Sequence, residues 1–169
     1  NGEQAYRLRT PAEIESEFLS ALERVRKADR LKHLLEGLKP LLRDPSFQCI
    51  GLTQFYVNRD GDELGELFRG LSSGHKVVLK IVTELTAHIS GLEPTLVLID
   101  EPETHLHPPL LAAFLKSLRA CLEAFDGYAV IATHSPVVLQ ETPAKYVHVL
   151  RRAADQTWVV APSVETFAE

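Results

Sequence analysis

Two acidic side chains and one imidazole stand at the ends of two apolar segments of the sequence. Asp100 and Glu101 follow the run 95–99, and His134 follows the run 128–133. A carboxylate in such a position can hold Mg²⁺ directly or through water. An adjacent glutamate can orient and polarise an attacking water as a general base, and an imidazole can donate a hydrogen bond to a phosphate and sense its presence. Together these are the groups that phosphoryl transfer to water requires, since positioning and charge stabilisation dominate that reaction.

The two apolar runs are predicted to be parallel strands of one sheet. Each is continuous and rich in aliphatic residues, which is typical of a strand buried on both faces, and a helix predicted over 108–125 joins them in a βαβ unit with a right-handed crossover. The carboxyl ends of parallel strands meet at one sheet edge, where open α/β sheets bind ligands. Neighbouring strands would bring the acids and His134 to about 5 Å, and one intervening strand to about 10 Å.

Plainer interpretations exist for each group taken singly. An acidic pair after an apolar strand is often only a solvated turn, and a lone histidine is usually structural. The matching positions of Asp100, Glu101 and His134 at two strand ends favour a shared site instead.

A third element is the segment LSSGH at 71–75, where small residues lead into a helix predicted to end near residue 90. The unpaired N–H groups at a helix start form an anion site, and Ser73 and Gly74 would be its closest contacts. By itself such a segment is more often an ordinary helix cap.

The remaining sequence predicts an α/β domain over 46–169 preceded by a helical segment over 1–45. Apolar residues recur at spacings of three and four from 11 to 42, which indicates an amphipathic helix broken near Gly37 and Pro40. A short strand near 47–52, a turn near 58–61, and a helix starting at Pro136 with Ser135 as its N-cap are also expected. Two further strands, near 146–150 and 157–160, are predicted to finish the sheet.

The composition limits which classes of protein the chain can belong to. With 169 residues, 45% hydrophobic and 24% charged, the chain can form one compact domain. No apolar run is long enough to cross a bilayer and no signal segment opens the sequence, so a cytoplasmic protein without membrane contact is expected. Cys49 and Cys121 are too isolated to suggest a disulfide framework or a zinc site. The net charge of -5 gives no global attraction to nucleic acid, and the absence of any methionine predicts a fragment.

Taken in order, LSSGH at 71–75, LVLIDEPETHLHP at 96–108 and ATHS at 132–135 resemble the signature motif, the Walker B motif with its D-loop, and the switch histidine of ABC-type ATPases. The resemblance covers about 71–142 and implies the parallel-sheet core of the C-terminal lobe of an ABC-type P-loop NTPase. The form DEPExHLHP is similar to the branch of AAA ATPases that includes RecF-like, SMC-like and OLD-like proteins. Within it the sequence resembles ATPases of anti-phage systems such as the Septu ATPase.

This resemblance implies ATP and Mg²⁺ as cofactors and a homodimer that sandwiches two nucleotides. It implies a metal role for Asp100 and catalytic roles for Glu101 and His134. Contact in trans with the γ-phosphate is implied for the signature residues Ser72, Ser73, Gly74 and His75, and a place at the dimer interface for the D-loop residues Thr104, His105 and His107. DNA repair or antiviral defence, with a nuclease as partner, is the implied setting.

The sequence departs from the family pattern in several places. It contains no G-x-x-x-x-G-K-[ST], so the Walker A loop that cradles the phosphates is absent from these residues and is expected upstream. His75 stands where many relatives have Gln, Ser73 where they have Gly, and His107 where transporters have Asp. The chain by itself is therefore expected to bind ATP poorly.

Two other functions compete with this interpretation. A metal-dependent hydrolase or nuclease would use the ligand types Asp100, Glu101, Glu103, His105, His107 and His134, but it leaves LSSGH unexplained. A non-catalytic DNA-binding or dimerisation module would use the basic residues Arg24, Arg26, Lys27, Arg30, Lys32, Lys39 and Arg43 on phosphate backbone. A solvated helix face is the simpler interpretation of that basic run, and the intact Asp100–Glu101 pair argues against a purely dimerising domain.

Overall fold

The computed structural model describes residues 10–43, 61–88, 94–153 and 155–161. In chain order its elements are α1 (Pro11–Lys27), α2 (Leu31–Leu42), α3 (Gly61–Gly70), α4 (Ser73–His88), β1 (Leu96–Asp100), a 3₁₀ helix (Pro102–His105), α5 (Pro108–Ala124), β2 (Tyr128–Ala132), α6 (Pro136–Glu141), a second 3₁₀ helix (Ala144–Tyr146), β3 (Val149–Ala153) and β4 (Gln156–Val160). The fold is mixed α/β, mostly helical with a small parallel sheet.

The core lies between the helices. Helix α2 packs along α5, α1 packs along α4, and α4 also contacts α5. The rings of Phe18 and Phe68 stack at 4.4 Å between centroids and join α1 to α3. Each fully buried aromatic or leucine side chain of this kind contributes about 1.5–3 kcal/mol. The largest are Phe18, Phe68, Phe114, Leu22, Leu34, Leu38 and Leu41.

The parallel sheet has one covered and one exposed face. Strands β1 and β2 are direct neighbours, paired from Leu96↔Tyr128 to Asp100↔Ala132, and Val97, Ile99, Ala129 and Ile131 pack against the helical core. The alternate residues are largely exposed: Leu96 60%, Leu98 73%, Tyr128 59% and Val130 59%. The prediction that both strands are buried on both faces is therefore wrong for the described residues, because helices cover only one face.

Strands β3 and β4 form an antiparallel hairpin of their own. The prediction that they finish the β1–β2 sheet is wrong. Only two residues separate Ala153 from Gln156, and so short a connection folds each strand back onto the other.

The long N-terminal helix is broken at a different place from the one predicted. Gly37 and Pro40 lie inside α2, and the break falls at Asp29, whose φ is 55°. The Arg30 N–H donates to the Val25 carbonyl at 2.9 Å and the Asp29 N–H donates to the Arg26 carbonyl at 3.0 Å. This is a Schellman ending, and aspartate tolerates the left-handed backbone that it needs.

Helix α3 was not predicted, since glycines at 61, 65 and 70 lower its helix propensity. The helices α4 and α5 and the strands β1 and β2 agree with prediction to within two residues at the ends that the structure describes. The predicted strand near 47–52, the turn residues 58–60 and Cys49 lie outside the described residues. Cys121 is the expected core thiol, and burial raises its pKa to about 11. None of the described helices is both long enough and apolar enough to cross a membrane.

Candidate functional site

The structure brings Glu101 and His134 together at the carboxyl edge of the parallel sheet. The Glu101 N–H donates to the Ala132 carbonyl at 2.8 Å, which extends the β1–β2 ladder by one bond. His134 Nε2 then lies 3.5 Å from Glu101 Oε1, with the side chains 90% and 51% exposed. A carboxylate and an imidazole thus face each other in a position open to a ligand.

Glu101 adopts a left-handed backbone, with φ 43° and ψ 60°. Pro102 disfavours right-handed helical geometry at the preceding residue, and the Glu101 N–H is held by Ala132, so the chain turns into the 3₁₀ helix through this strained conformation. The conformation costs about 1–2 kcal/mol for a residue with a Cβ. Strain of this kind persists where the surroundings enforce it and is concentrated at functional sites.

Asp100 is the last residue of β1 and is exposed on the same sheet face as Leu96 and Leu98. Within the described ranges, no group of three or more His, Cys, Asp or Glu side chains is arranged to hold a metal ion. Mg²⁺ is often held by only one or two protein carboxylates together with substrate phosphates.

Glu103 emerges as a residue that sequence reasoning considered only as a metal ligand. Its Oε1 accepts hydrogen bonds from Thr133 Oγ1 at 2.7 Å and from the His134 N–H at 2.8 Å. Burial acts to raise the pKa of Glu103, but hydrogen bonds from Thr133 and from backbone N–H groups outweigh burial, so the pKa lies below its ordinary value. The carboxylate therefore links the segment after β1 to the segment after β2.

The LSSGH segment begins helix α4 with Ser72 as its cap. Ser72 Oγ accepts from the His75 N–H at 3.4 Å and lies 2.7 Å from His75 Nδ1. Ser72 and Ser73 are exposed, whereas Gly74 is buried. A Cβ at Gly74 would lie 3.0 Å from Leu110 Cδ2 and 3.3 Å from the His105 carbonyl oxygen. The small residue thus lets α4 pack tightly against the segment that follows Glu101, and the two serines remain accessible.

The predicted D-loop residues fall in and just after the first 3₁₀ helix. Thr104 and His105 are exposed. His107 also caps α5, because its Nδ1 accepts from the Leu110 N–H at 3.4 Å and Pro108 occupies the first helical position. Its side chain therefore has a structural task in addition to any contact at an interface.

Part of the basic run of α1 and α2 serves the packing of the helices. Arg24 pairs with Glu84 at 2.7 Å, and Arg30 Nη1 donates to the Ala87 and Thr86 carbonyls at 3.2 and 3.4 Å. Both contacts reach α4, so these two cations tie α1 and the start of α2 to that helix. Lys27 and Lys39 pair with acidic residues on their own helices.

Comparison with known proteins gives the chain a family. The profile of the family described as "AAA domain, putative AbiEii toxin, Type IV TA system" matches residues 3–140. Protein ea59 of Escherichia phage lambda is 38% identical over an alignment of 183 positions, which covers 96% of this chain and 34% of that protein. The "Retron Vc95 probable ATPase" of Vibrio cholerae serotype O1 biovar El Tor is 25% identical over 150 residues, 82% of this chain and 28% of that protein. The chain spans about a third of the length of these relatives, and no solved structure matches it.

Proposed function

This chain belongs to the AAA-domain family whose profile matches residues 3–140, and we propose from that premise that it carries part of the ATP-hydrolysing site of an ABC-type ATPase. The observation that carries the proposal is the pairing of Glu101 with His134 at 3.5 Å, at the ends of two neighbouring parallel strands. The strained backbone of Glu101 supports it, since the fold maintains that conformation at a cost.

Each residue at the sheet edge has a task in this proposal. Asp100 contributes a ligand to Mg²⁺, which when bound neutralises charge on the phosphate oxygens. Glu101 orients the attacking water and accepts its proton. His134 donates a hydrogen bond from its ring to the terminal phosphate, and its nearness to Glu101 places that phosphate beside the water. The exposure of all three side chains leaves room for the nucleotide.

The phosphate-binding loop must come from elsewhere, because no G-x-x-x-x-G-K-[ST] occurs in the 169 residues. We place it upstream in a longer protein, in keeping with relatives about three times the length of this chain. In the nucleotide sandwich that we propose, a second copy holds its own ATP against the exposed Ser72 and Ser73 with His75 and the N–H of Gly74. The D-loop residues Thr104, His105 and His107 would lie along the contact between the copies.

The biological setting is proposed from the relatives. A retron ATPase is among them. Together with the resemblance to anti-phage ATPases, it supports a role in antiviral defence in the cytoplasm, with a nuclease as partner. DNA contact through α1 and α2 is a secondary proposal, because Arg24 and Arg30 already bind α4. A rise in ATPase rate on adding duplex DNA that falls steeply with salt would support it, and no rise at low salt would remove it.

The Glu101→Gln variant of the longer protein tests the proposed function. Glutamine keeps the size of the side chain but cannot accept the proton, so ATP turnover is expected to fall about 100-fold or more. An ATP-bound dimer should accumulate, which size-exclusion chromatography with light scattering would measure. The control is Glu123→Gln, which changes an exposed carboxylate on α5 and should leave both properties intact.

The opposite result is equally informative. Unchanged turnover in Glu101→Gln, with no dimer, would remove Glu101 as the base and with it the ATPase mechanism. Tight Zn²⁺ or Mn²⁺ binding without nucleotide would then move the metal-dependent hydrolase to the front.

A further inference from the structure

We propose that Glu103 is a positioning residue that holds the segment 133–135, and with it the ring of His134, in register with Glu101. The inference rests on the proposed function, since it concerns how the same site is kept in order. Glu103 itself touches neither reacting atoms nor the ring of His134 in this arrangement. Its effect would be exerted through the main chain.

The contacts of one carboxylate oxygen carry the proposal. Glu103 Oε1 accepts from Thr133 Oγ1 at 2.7 Å and from the His134 N–H at 2.8 Å. Thr133 Oγ1 in turn accepts from the Ser135 N–H at 3.0 Å. Two successive residues after β2 therefore bond directly to a single side chain that follows β1, and Ser135 is linked to it through Thr133. Bonds to an ionised acceptor are roughly twice as strong as neutral ones, which suits a rigid link.

The site has need of such a link. The side chain of His134 is 90% exposed, so packing does little to fix the ring, and the position of its main chain limits which side-chain rotamers can bring Nε2 beside Glu101. On the other side, Glu101 is tied to β2 through its N–H bond to Ala132. The Glu101 N–H bond runs from the end of β1 to β2, and the His134 N–H bond runs from the end of β2 back to Glu103. Together these two bonds hold Glu101 Oε1 and His134 Nε2 at a separation of 3.5 Å.

A double-mutant cycle in the longer protein tests the proposal, with Glu103→Ala, His134→Ala and both together. In Glu103→Ala the ring of His134 should be misplaced, so kcat for ATP should fall about tenfold or more. KM for ATP should change less than about twofold, because Glu103 does not bind the nucleotide. In the His134→Ala background the same change should have no further effect on kcat. Glu103→Gln keeps one acceptor oxygen and the side-chain shape, and should retain kcat within about threefold.

The outcomes separate this proposal from the proposed function. Suppose that turnover depends on Glu101 and His134. The positioning role is then wrong, and the ATPase mechanism stands, if Glu103→Ala leaves kcat unchanged. The same holds if Glu103→Ala lowers kcat by the same factor with and without His134. If turnover does not depend on Glu101, the ATPase mechanism fails. Amide hydrogen exchange then still decides whether the link exists: Glu103→Ala should speed exchange of the His134 and Ser135 N–H groups about tenfold or more, and unchanged exchange there would overturn it.

Discussion

At the scale of single residues, the backbone of Glu101 sets the candidate site apart from the rest of the described chain. Three non-glycine residues there have positive φ, and two are aspartates just beyond the ends of α1 and α5, Asp29 at 55° and Asp126 at 51°. Aspartate adopts this conformation readily in helix endings. Glu101, at 43°, is a longer side chain at a strand end, so its conformation follows from the fold around it and not from local preference.

Comparing Glu101→Gly with Glu101→Ala isolates that strain. Both variants lack the carboxylate, so both should lose turnover, but only glycine adopts the left-handed conformation without a clash at Cβ. The glycine variant should therefore be more stable than the alanine variant by about 1 kcal/mol, measured by urea unfolding. A glycine variant that is less stable than the alanine variant would show that the backbone at this position is not strained, because glycine otherwise costs unfolded-state entropy.

The sequence predicted part of the geometry of the candidate site and could not predict the rest. The position of Asp100, Glu101 and His134 at one sheet edge follows from sequence, because strand ends can be located and parallel strands share an edge. The link made by Glu103 depends on a 3₁₀ turn of four residues that aims its side chain at Thr133. Neither the turn nor the direction of the side chain has a periodic signal, so only the structure reveals that contact.

At the scale of elements, prediction succeeded where one signal dominated. Helices α4 and α5 have clear starts and apolar repeats, and β1 and β2 are unbroken apolar runs. It failed where glycine had a packing role: Gly37 suggested a break, but it lies inside α2 where that helix meets α5. A glycine that permits close approach cannot be distinguished by sequence from one that ends a helix.

Replacing Gly37 by alanine tests this explanation of α2. A Cβ there would clash with the sulfur of Cys121, and the Ser117 hydroxyl already bonds the Gly37 carbonyl. Alanine gains about 1 kcal/mol in helix propensity, whereas crowding of a packed core costs typically about 1–3 kcal/mol. A net loss of about 1 kcal/mol in the free energy of unfolding is expected.

Gly70→Ala provides the matched control for this substitution. Gly70 also lies in a helix, at the end of α3, and nothing is within 4 Å of the position where its Cβ would stand. This variant should be neutral or slightly stabilising in the same urea unfolding measurement. If Gly37→Ala proved as well tolerated as Gly70→Ala, the contact between α2 and α5 would be looser than the structure indicates.

At the scale of the whole molecule, the unusual feature is the exposed face of the parallel sheet. Parallel strands are almost always covered on both faces, and two-stranded sheets have little stability of their own. Here Leu96, Leu98, Tyr128 and Val130 lie largely exposed on the face that also carries Asp100. Together with relatives three times as long, this supports a further part of the protein that covers the face and brings the phosphate-binding loop to Asp100.

Leu98→Ala in the longer protein tests whether that face is covered. Leu98 is 73% exposed in this structure. If it stays uncovered in the longer protein, the substitution should change the free energy of unfolding by less than about 0.5 kcal/mol. If another part of the protein covers Leu98, the substitution should lower the free energy of unfolding by about 2–5 kcal/mol. This larger loss is the result that we expect from urea unfolding. Val97→Ala is the control, because Val97 packs against the helical core and should lose about 1.5 kcal/mol in either case. A small loss at Leu98 beside a clear loss at Val97 would mean that this face of the sheet stays uncovered in the longer protein.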